Sequence, residues 1–436
     1  MVLETTVNLK LKALLIICSY GLIAAISVIS LERYGYLESF ELQYYDRLVR
    51  SQNPQNNSEI VFCKITEKDY RNYDLDHMRD DLLAQIISKL QQSSPKIIGI
   101  DYIKDRKVGE GSEQLKEVFD KGNVVGVMRL GNEIGSEPDA YYPYVLDCSQ
   151  VPTQTGFADL ELDDVKEEVV RRVALTSMIK LPECSSQSGQ EDSEHHMTFS
   201  LGSMLALRVL HQELESTDAK ALDFSEWLMD DLFDYESNSF LIGKNRYKQF
   251  KGNEAGYSRA EQNFEYLINF SEDEQSFDSF TLTELLEGKV DSLRINNKIV
   301  IVGATAESKK DRYPTPRSDW SIGRGKMPGM VIHGIISSQI LRGFRTANTM
   351  IHHHSQNLEY LWLIFWSLLG AAIASSFLLP FKTFIGVTIG LIFLLVSTNL
   401  LFVWAWWLPF ISPALGMILA ALMFTIFHSR YRRQTV

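Results

Sequence analysis

The sequence predicts an α/β domain, a mixed sheet covered by helices, joined to four transmembrane helices, one N-terminal and three C-terminal. Two observations set the membrane part. Residues 11–31 and most of 359–427 are apolar, and between Lys382 and Arg430 there is no Asp, Glu, Lys or Arg. A third observation sets the α/β part: between these ends, buried-strand patterns alternate with helical ones.

Residues 11–31 supply about the ~20 apolar positions that a helix needs to cross the hydrocarbon core. A signal peptide has a shorter apolar core followed by a small-residue cleavage site. Here the run continues to Leu31 and meets Glu32-Arg33, so a retained anchor is expected. Further spans are expected at 359–379, 383–406 and 408–427, punctuated by Pro380-Phe381-Lys382 and by Trp406-Trp407-Leu408-Pro409. Trp362, Trp366, Trp404, Trp406 and Trp407 lie near the expected ends, where amphipathic rings favour the headgroup level. Four crossings place Lys10, Lys12, Lys382, Arg430, Arg432 and Arg433 on one side, which the positive-inside rule makes cytoplasmic. Residues 32–357 are then outside, between a cytoplasmic N-terminus (1–10) and a cytoplasmic tail (428–436). That outer region carries 37 of the 43 basic and 53 of the 55 acidic residues, a formal charge of -16.

Within the outer region, 59–66 (EIVFCKIT) reads as a buried strand. A helix is expected at 79–94, where Leu82, Leu83, Ile86, Ile87 and Leu90 share one face, and Pro95 ends it. Strands at 96–101 (KIIGID) and 123–130 (NVVGVMRL) flank a helix at 113–121. Residues 183–194 have no apolar period and read as an exposed loop. A helix follows at 198–215, then strands at 266–270 and 298–303, a short helix at 281–287 and a last helix at 330–341. The alternation implies parallel crossovers. Residues 216–260 give no clear element and read as an insertion.

Charge and cysteine usage narrow the function. A net charge of -12 without a basic stripe excludes a general nucleic-acid binder. Cys18 falls in an apolar run and Cys63 in an expected strand. Cys148 and Cys184 lie in polar surroundings, where a disulfide and two free thiols fit equally well. No Cys/His spacing suggests zinc, and no metal or other cofactor is expected.

Several segments, taken in order, resemble the CHASE2 domain of bacterial membrane receptors. They are Tyr45-Asp46-Arg47, the strand 59–66, the segment 96–101, Gly156-Phe157-Ala158-Asp159, and Asp163-Asp164 with Val170-Arg171-Arg172 downstream. The most specific are NKIVIVGATA at 297–306, then Asp311, Thr315-Pro316 and MPGMVIHG at 327–334. The resemblance covers most of 40–345 and extends to one membrane helix before and three after. Three departures stand out: Thr66 before Glu67, where the family usually has an acidic residue at the end of the first strand; Asp76-His77-Met78-Arg79 in place of a Trp/Pro turn; and Val165-Lys166-Glu167-Glu168 in place of an Asp-Gly pair. The resemblance implies an extracytoplasmic sensory domain of the bacterial inner membrane and carries no ligand over. Such domains normally precede a kinase or cyclase, whereas this chain ends at Val436, so the expected output is a separate polypeptide.

Candidate binding residues are Asp101, Thr305, Asp311 and His333. Asp101 ends a strand, and open α/β sheets bind ligands at the carboxyl ends of their strands. The four residues line one crevice in this reading; a hydrogen-bonded structural network is the rival. Gly303-Ala304-Thr305 lacks the Gly-Lys-Ser/Thr ending of a phosphate loop and reads as a turn. Arg171-Arg172 is expected to pair with the acidic run 159–168. His352-His353-His354 has no acidic or cysteine partners in sequence and reads as an interfacial loop rather than a metal site. No nucleophile elbow or Ser/His/Asp set is present, so no enzyme is expected. The expectation is a membrane receptor subunit that binds an outside ligand or protein and relays to a separate cytoplasmic effector. The alternative is a membrane anchor or scaffold, with or without a partner-gated helical bundle. The bilayer is an expected partner in either reading, and a homo-oligomer fits both.

Overall fold

A computed structural model describes residues 2–434 except 76, 131–140, 161, 164–167, 181–194, 218–221, 250–253, 258–263, 319–324, 347–348 and 378. The expected loop at 183–194 and Cys184 lie outside the described residues. In chain order, helices α1 (Val2–Arg33) and α2 (Glu38–Ser51) come first. They are followed by β1 (Asn57–Ile65), α3 (Asp80–Gln91), β2 (Ile97–Ile103), α4 (Ser112–Asp120), β3 (Val124–Met128) and β4 (Thr155–Phe157). Next are α5 (Leu201–Thr217), β5 (Phe277–Thr281), α6 (Leu282–Leu286), β6 (Ile299–Ala304) and α7 (Gly329–Thr346). Helices α8 (Gln356–Ser376), α9 (Pro380–Val403) and α10 (Ile411–Gln434) close the chain. It divides into two units. One, the membrane unit, holds 1–51, 250–262 and 351–436; the other, the α/β unit, holds 52–249 and 263–350.

The α/β unit is built on six strands in the order β5-β1-β6-β2-β3-β4. Every pairing is parallel, with Val300 beside both Val61 and Ile98, and Gly303 beside Asp101. The expected mixed sheet is therefore corrected to a parallel one. Antiparallel pairing is confined to small ladders elsewhere. The expected strand at 266–270 belongs to one of these: Glu265–Leu267 pairs with Arg172–Ala174 outside the main sheet. Parallel strands need long crossovers and cover on both faces, which is why β1 and β6 read as nearly unbroken apolar runs. On one face, Leu83, Ile86, Leu90, Leu115, Phe119 and Leu282 of α3, α4 and α6 pack on Val61, Cys63, Ile98, Ile100, Val300 and Val302. On the other face lie α5 and α7. A Cβ at Gly202 of α5 would come within 2.5 Å of the His333 carbonyl of α7, and one at Gly334 would meet the Phe62 ring at 2.5 Å. Glycine there lets the two helices close on each other and on the sheet.

In the membrane unit, three helices among the described residues are long and apolar enough to cross a bilayer: Leu14–Arg33, Gln356–Ser376 and Pro380–Val403. The fourth expected span is shorter, its apolar part being Ile411–Phe427. At 1.5 Å per residue that is about 25 Å, the lower edge of what a bilayer core requires. The expected turn at 380–382 is the first turn of α9, because Pro380 at the start of a helix lacks only an N–H that would be unpaired anyway. Helices α1, α8 and α10 pack through small residues, with Ala24 against Ala371 and Ala420, and the Gly370 Cα so near Met417 that a Cβ would fall 2.2 Å from its carbonyl.

The start of α10 is capped by a carboxylate from α2. Glu41 is buried and accepts from the backbone N–H groups of Phe410 (2.9 Å), Ile411 (3.0 Å) and Ser412 (2.7 Å). These are among the donors that a helix start leaves without partners, and a negative charge also suits its dipole. Around this cap, Tyr45 meets Trp407 and Phe402 edge-on at 5.3 and 5.7 Å, and Tyr44 bonds to Thr398 at 2.8 Å. His352-His353 forms a two-residue parallel ladder with Trp406-Trp407, and His354 stacks on Trp406 at 4.6 Å.

Glu41→Ala removes the acceptor of three amides and should cost on the order of 2 kcal/mol, with Glu41→Gln losing less. Five of the seven tryptophans lie in the membrane unit, so tryptophan fluorescence during heating of the full chain in detergent reads it directly. Unfolding of Glu41→Ala at the wild-type temperature would contradict the capping role.

Candidate functional site

The carboxyl ends of the strands are where the α/β unit concentrates its unusual chemistry. Strands β1 and β2 lead into helices on one face, α3 and α4, whereas β6 between them leads to α7 on the other. Chains leaving neighbouring strands to opposite sides open a crevice, the switch point at which open α/β sheets accept ligands. Asp101, on β2, and Asp311, beyond β6, both sit at this point.

Asp101 is half-buried, and its Oδ2 is shielded without a hydrogen-bond partner among the described residues. Burial pushes its carboxyl well above the usual carboxylate range, and the nearby Asp311 adds repulsion. The Asp311 carboxyl is also raised by burial, although a hydrogen bond from the Tyr313 hydroxyl and the charge of Arg312 oppose this. Asp311 is held over the start of α7. Its carbonyl accepts from Gly329 N at 3.1 Å, and a Cβ on Gly329 would fall 2.7 Å from Asp311 Oδ1. A short antiparallel ladder, Arg312-Tyr313 against Met327-Pro328, pins the loop between them. Tyr313 is pushed up to about 12 by burial and by Asp311, with Asp101 and Asp159 also within electrostatic reach.

The other two expected residues are placed differently. Thr305 ties β6 to β1, its N–H donating to the Ile65 carbonyl at 2.9 Å, and its own carbonyl accepts from Arg312 Nη1 at 3.2 Å. His333 is buried in α7, and a ring N–H donates to the Ala158 carbonyl after β4. Burial lowers it to about 4, so it is neutral across the physiological range and is not a proton carrier there. The structure thus brings Asp101 and Asp311 together, adds Tyr313 and Arg312 to them, and puts Thr305 and His333 in backbone hydrogen bonds at the margin. Tyr313 lies two residues from an expected carboxylate, but nothing periodic in the sequence singles it out.

Two further charged groups prove structural. Arg171 and Arg172 pair with Asp163, at 3.3 Å from Nη1 and 3.0 Å from Nη2 respectively, and Arg172 also bonds to Glu265. This is the local pairing expected, and the two buried cations are matched by two carboxylates. Asp80 pairs with the buried Lys104 at 2.5 Å and accepts from Val108 N, Ser112 and Tyr144. No group of three metal-ligating side chains occurs among the described residues. Cys148 is disulfide-bonded, while Cys18 and Cys63 are free.

The raised acids have a measurable consequence. A carboxyl whose folded pKa lies above its unfolded value stabilises the fold below the ordinary range near 4 and loses that contribution as pH rises through the folded value. Asp101→Asn removes the loss, so the variant should gain stability over wild type, by more at pH 8 than at pH 5, in thermal unfolding of the full chain. An equal difference at both pH values would rule out this account of the pair.

Comparison with known proteins gives one family. Residues 22–372 match the CHASE2 domain, a family of extracellular sensory domains. No curated protein and no solved structure matches the chain. The matched span includes the switch-point crevice, α2 and most of α8. The chain belongs to the CHASE2 domain family.

Proposed function

We propose that this protein is a membrane-anchored receptor subunit that binds a ligand or protein outside the cytoplasm and relays the event to a separate cytoplasmic effector. The reading is one of binding, with no reaction assigned. It places the α/β unit outside the inner membrane and both termini in the cytoplasm. The disulfide at Cys148 supports that side, because disulfides persist in oxidising compartments. The switch-point crevice supports a ligand role for Asp101, Asp311 and their neighbours.

The observation that carries relay over simple anchoring is the grip on residues 254–257. Ala255 is fully buried, its N–H donates to Glu359 of α8 at 3.0 Å, and its carbonyl accepts from Trp407 Nε1 at 2.9 Å. It adopts φ +56°, a left-handed conformation that alanine holds only where its surroundings compel it. The segment joins the strands Asn245–Lys248 and Glu265–Leu267 of the α/β unit. The chain passes between the units at 51–52, 249–250, 262–263 and 350–351. A plain anchor needs one or two such passages; four give a bound ligand more than one route by which to bias the helices. A ligand does so only through different affinities for two states.

Two measurements test this. A cysteine introduced at the exposed Ser292 should react with an impermeant maleimide in cells whose outer envelope is permeable, while Lys382→Cys should react only after lysis. The reverse pattern would defeat the topology. A photo-crosslinker at Lys382 should capture a cytoplasmic protein from native membranes, and Trp407→Phe, which removes the indole donor but keeps a ring, should change the yield. An unchanged yield would favour the scaffold reading.

A further inference from the structure

Apart from the switch-point pair, the α/β unit has a cleft of about 320 Å³, the size of a small-molecule site. Its walls are the turn at 273–275, just before β5, and parts of the loop between β6 and α7. They bear two carboxylates and three cations: Asp273, Glu274, Arg312, Arg317 and Lys326.

Both carboxylates are already engaged. Asp273 caps the turn that follows it, accepting from Gln275 N at 3.0 Å and from the Ser276 hydroxyl at 3.1 Å. Glu274 pairs with Lys64 at 3.0 Å and with Arg312 at 3.7 Å. The cations are held differently. Arg312 donates to the carbonyls of Thr305 (3.2 Å) and Lys326 (2.7 Å), and the buried Arg317 to those of Phe270 (2.6 Å) and Gln52 (3.1 Å). Carbonyls orient the Arg312 guanidinium without neutralising it, and Glu274, which it also meets, is already matched more closely by Lys64. Lys326 is exposed, and its ammonium has no partner among the described residues. Leaving Arg317 aside, the described residues at the cleft set three cations, Lys64, Arg312 and Lys326, against two carboxylates, Asp273 and Glu274.

Thr315 supplies an independent observation. It lines the cleft, is 2% exposed, and its hydroxyl has no hydrogen-bond partner among the described residues. The turn that carries it is rigid: Thr315 N donates to the Ser318 hydroxyl at 3.0 Å, Ser318 N returns to the Thr315 carbonyl at 2.8 Å, and Pro316 fixes the backbone between them. A shielded donor left unpaired is costly, so its retention at a cleft wall asks for an acceptor. Preoriented cations and a spare hydroxyl are the groups that recognise carboxylates and phosphates.

We infer that this cleft binds a small anion bearing a carboxylate or phosphate group, with Arg312 and Lys326 as its charge partners and Thr315 as a hydroxyl donor. That such an anion is the signal rests on the receptor reading; the binding itself does not. Equilibrium dialysis of the full chain in detergent at 0.15 M NaCl, with radiolabelled inorganic phosphate in one arm and succinate in the other, decides it. One of the two should bind saturably at one per chain, and the arms tell the two chemistries apart. Lys326→Ala and Thr315→Val should each weaken binding about tenfold or more without lowering the unfolding temperature, since the Lys326 ammonium has no partner among the described residues and valine at 315 removes an unpaired hydroxyl. Absence of saturable binding in both arms, or wild-type affinity in either variant, would overturn the assignment. Saturable binding that leaves the Lys382 crosslink unchanged would instead count against the receptor reading and leave the site standing.

Discussion

The parallel sheet governs what the rest of the α/β unit can be. Six strands running one way cannot be joined by hairpins, and both faces must be hidden from water. Helices therefore cover each side, and somewhere adjacent strands must send their chains to opposite faces. That happens around β6, flanked by strands whose helices lie on the other side. The crevice there follows from topology, before any side chain is considered. Asp101 and Asp311 add the chemistry. Two carboxyls close together and shielded from water hold protons more tightly than either would alone.

The membrane unit solves a different problem with similar means. Buried peptide groups need partners, and here carboxylates provide them. Glu41 takes three amides at the start of α10, and Glu359 takes the amide of Ala255. These acids serve as acceptors for backbone, so their loss would be felt first as disorder at a loop or helix start. The aromatic residues around them, Tyr44, Tyr45, Phe402 and Trp407, exclude water and make each bond count for more.

Much of this was readable from the chain, and the failures have physical causes. Strands β1, β2 and β6 announce themselves because burial on both faces forces continuous apolar runs. The edge strands do not: β5 is FDSFT and β4 only TGF, too short or too polar to carry a pattern. Glu265–Leu267 reads correctly as a strand, yet nothing local says which partner it takes. Lys382 looked like a turn because Pro380 precedes it, although a proline starts a helix as readily as it ends one. At the crevice, the strand-end rule finds Asp101, whereas Tyr313 and Arg312 depend on how the loop folds back. The four residues around Ala255 offer no period at all; their role lies wholly in distant partners.

The position of β6 also bears on how the protein assembles. Val300 has to slot between Val61 and Ile98, but roughly two hundred residues of chain separate it from Ile98. At ribosomal speeds of about 5–20 residues per second, the first two strands wait some 10–40 s with facing edges bare. Bare strand edges recruit whatever strand is nearest, including those of other nascent copies. The helices α3 and α4, which need only local contacts, can collapse on β1 and β2 in that interval and shield one side. Biogenesis is thus the stage at which this architecture is most exposed to error, and chaperoning of the unfinished sheet is the demand that its strand order places on the cell.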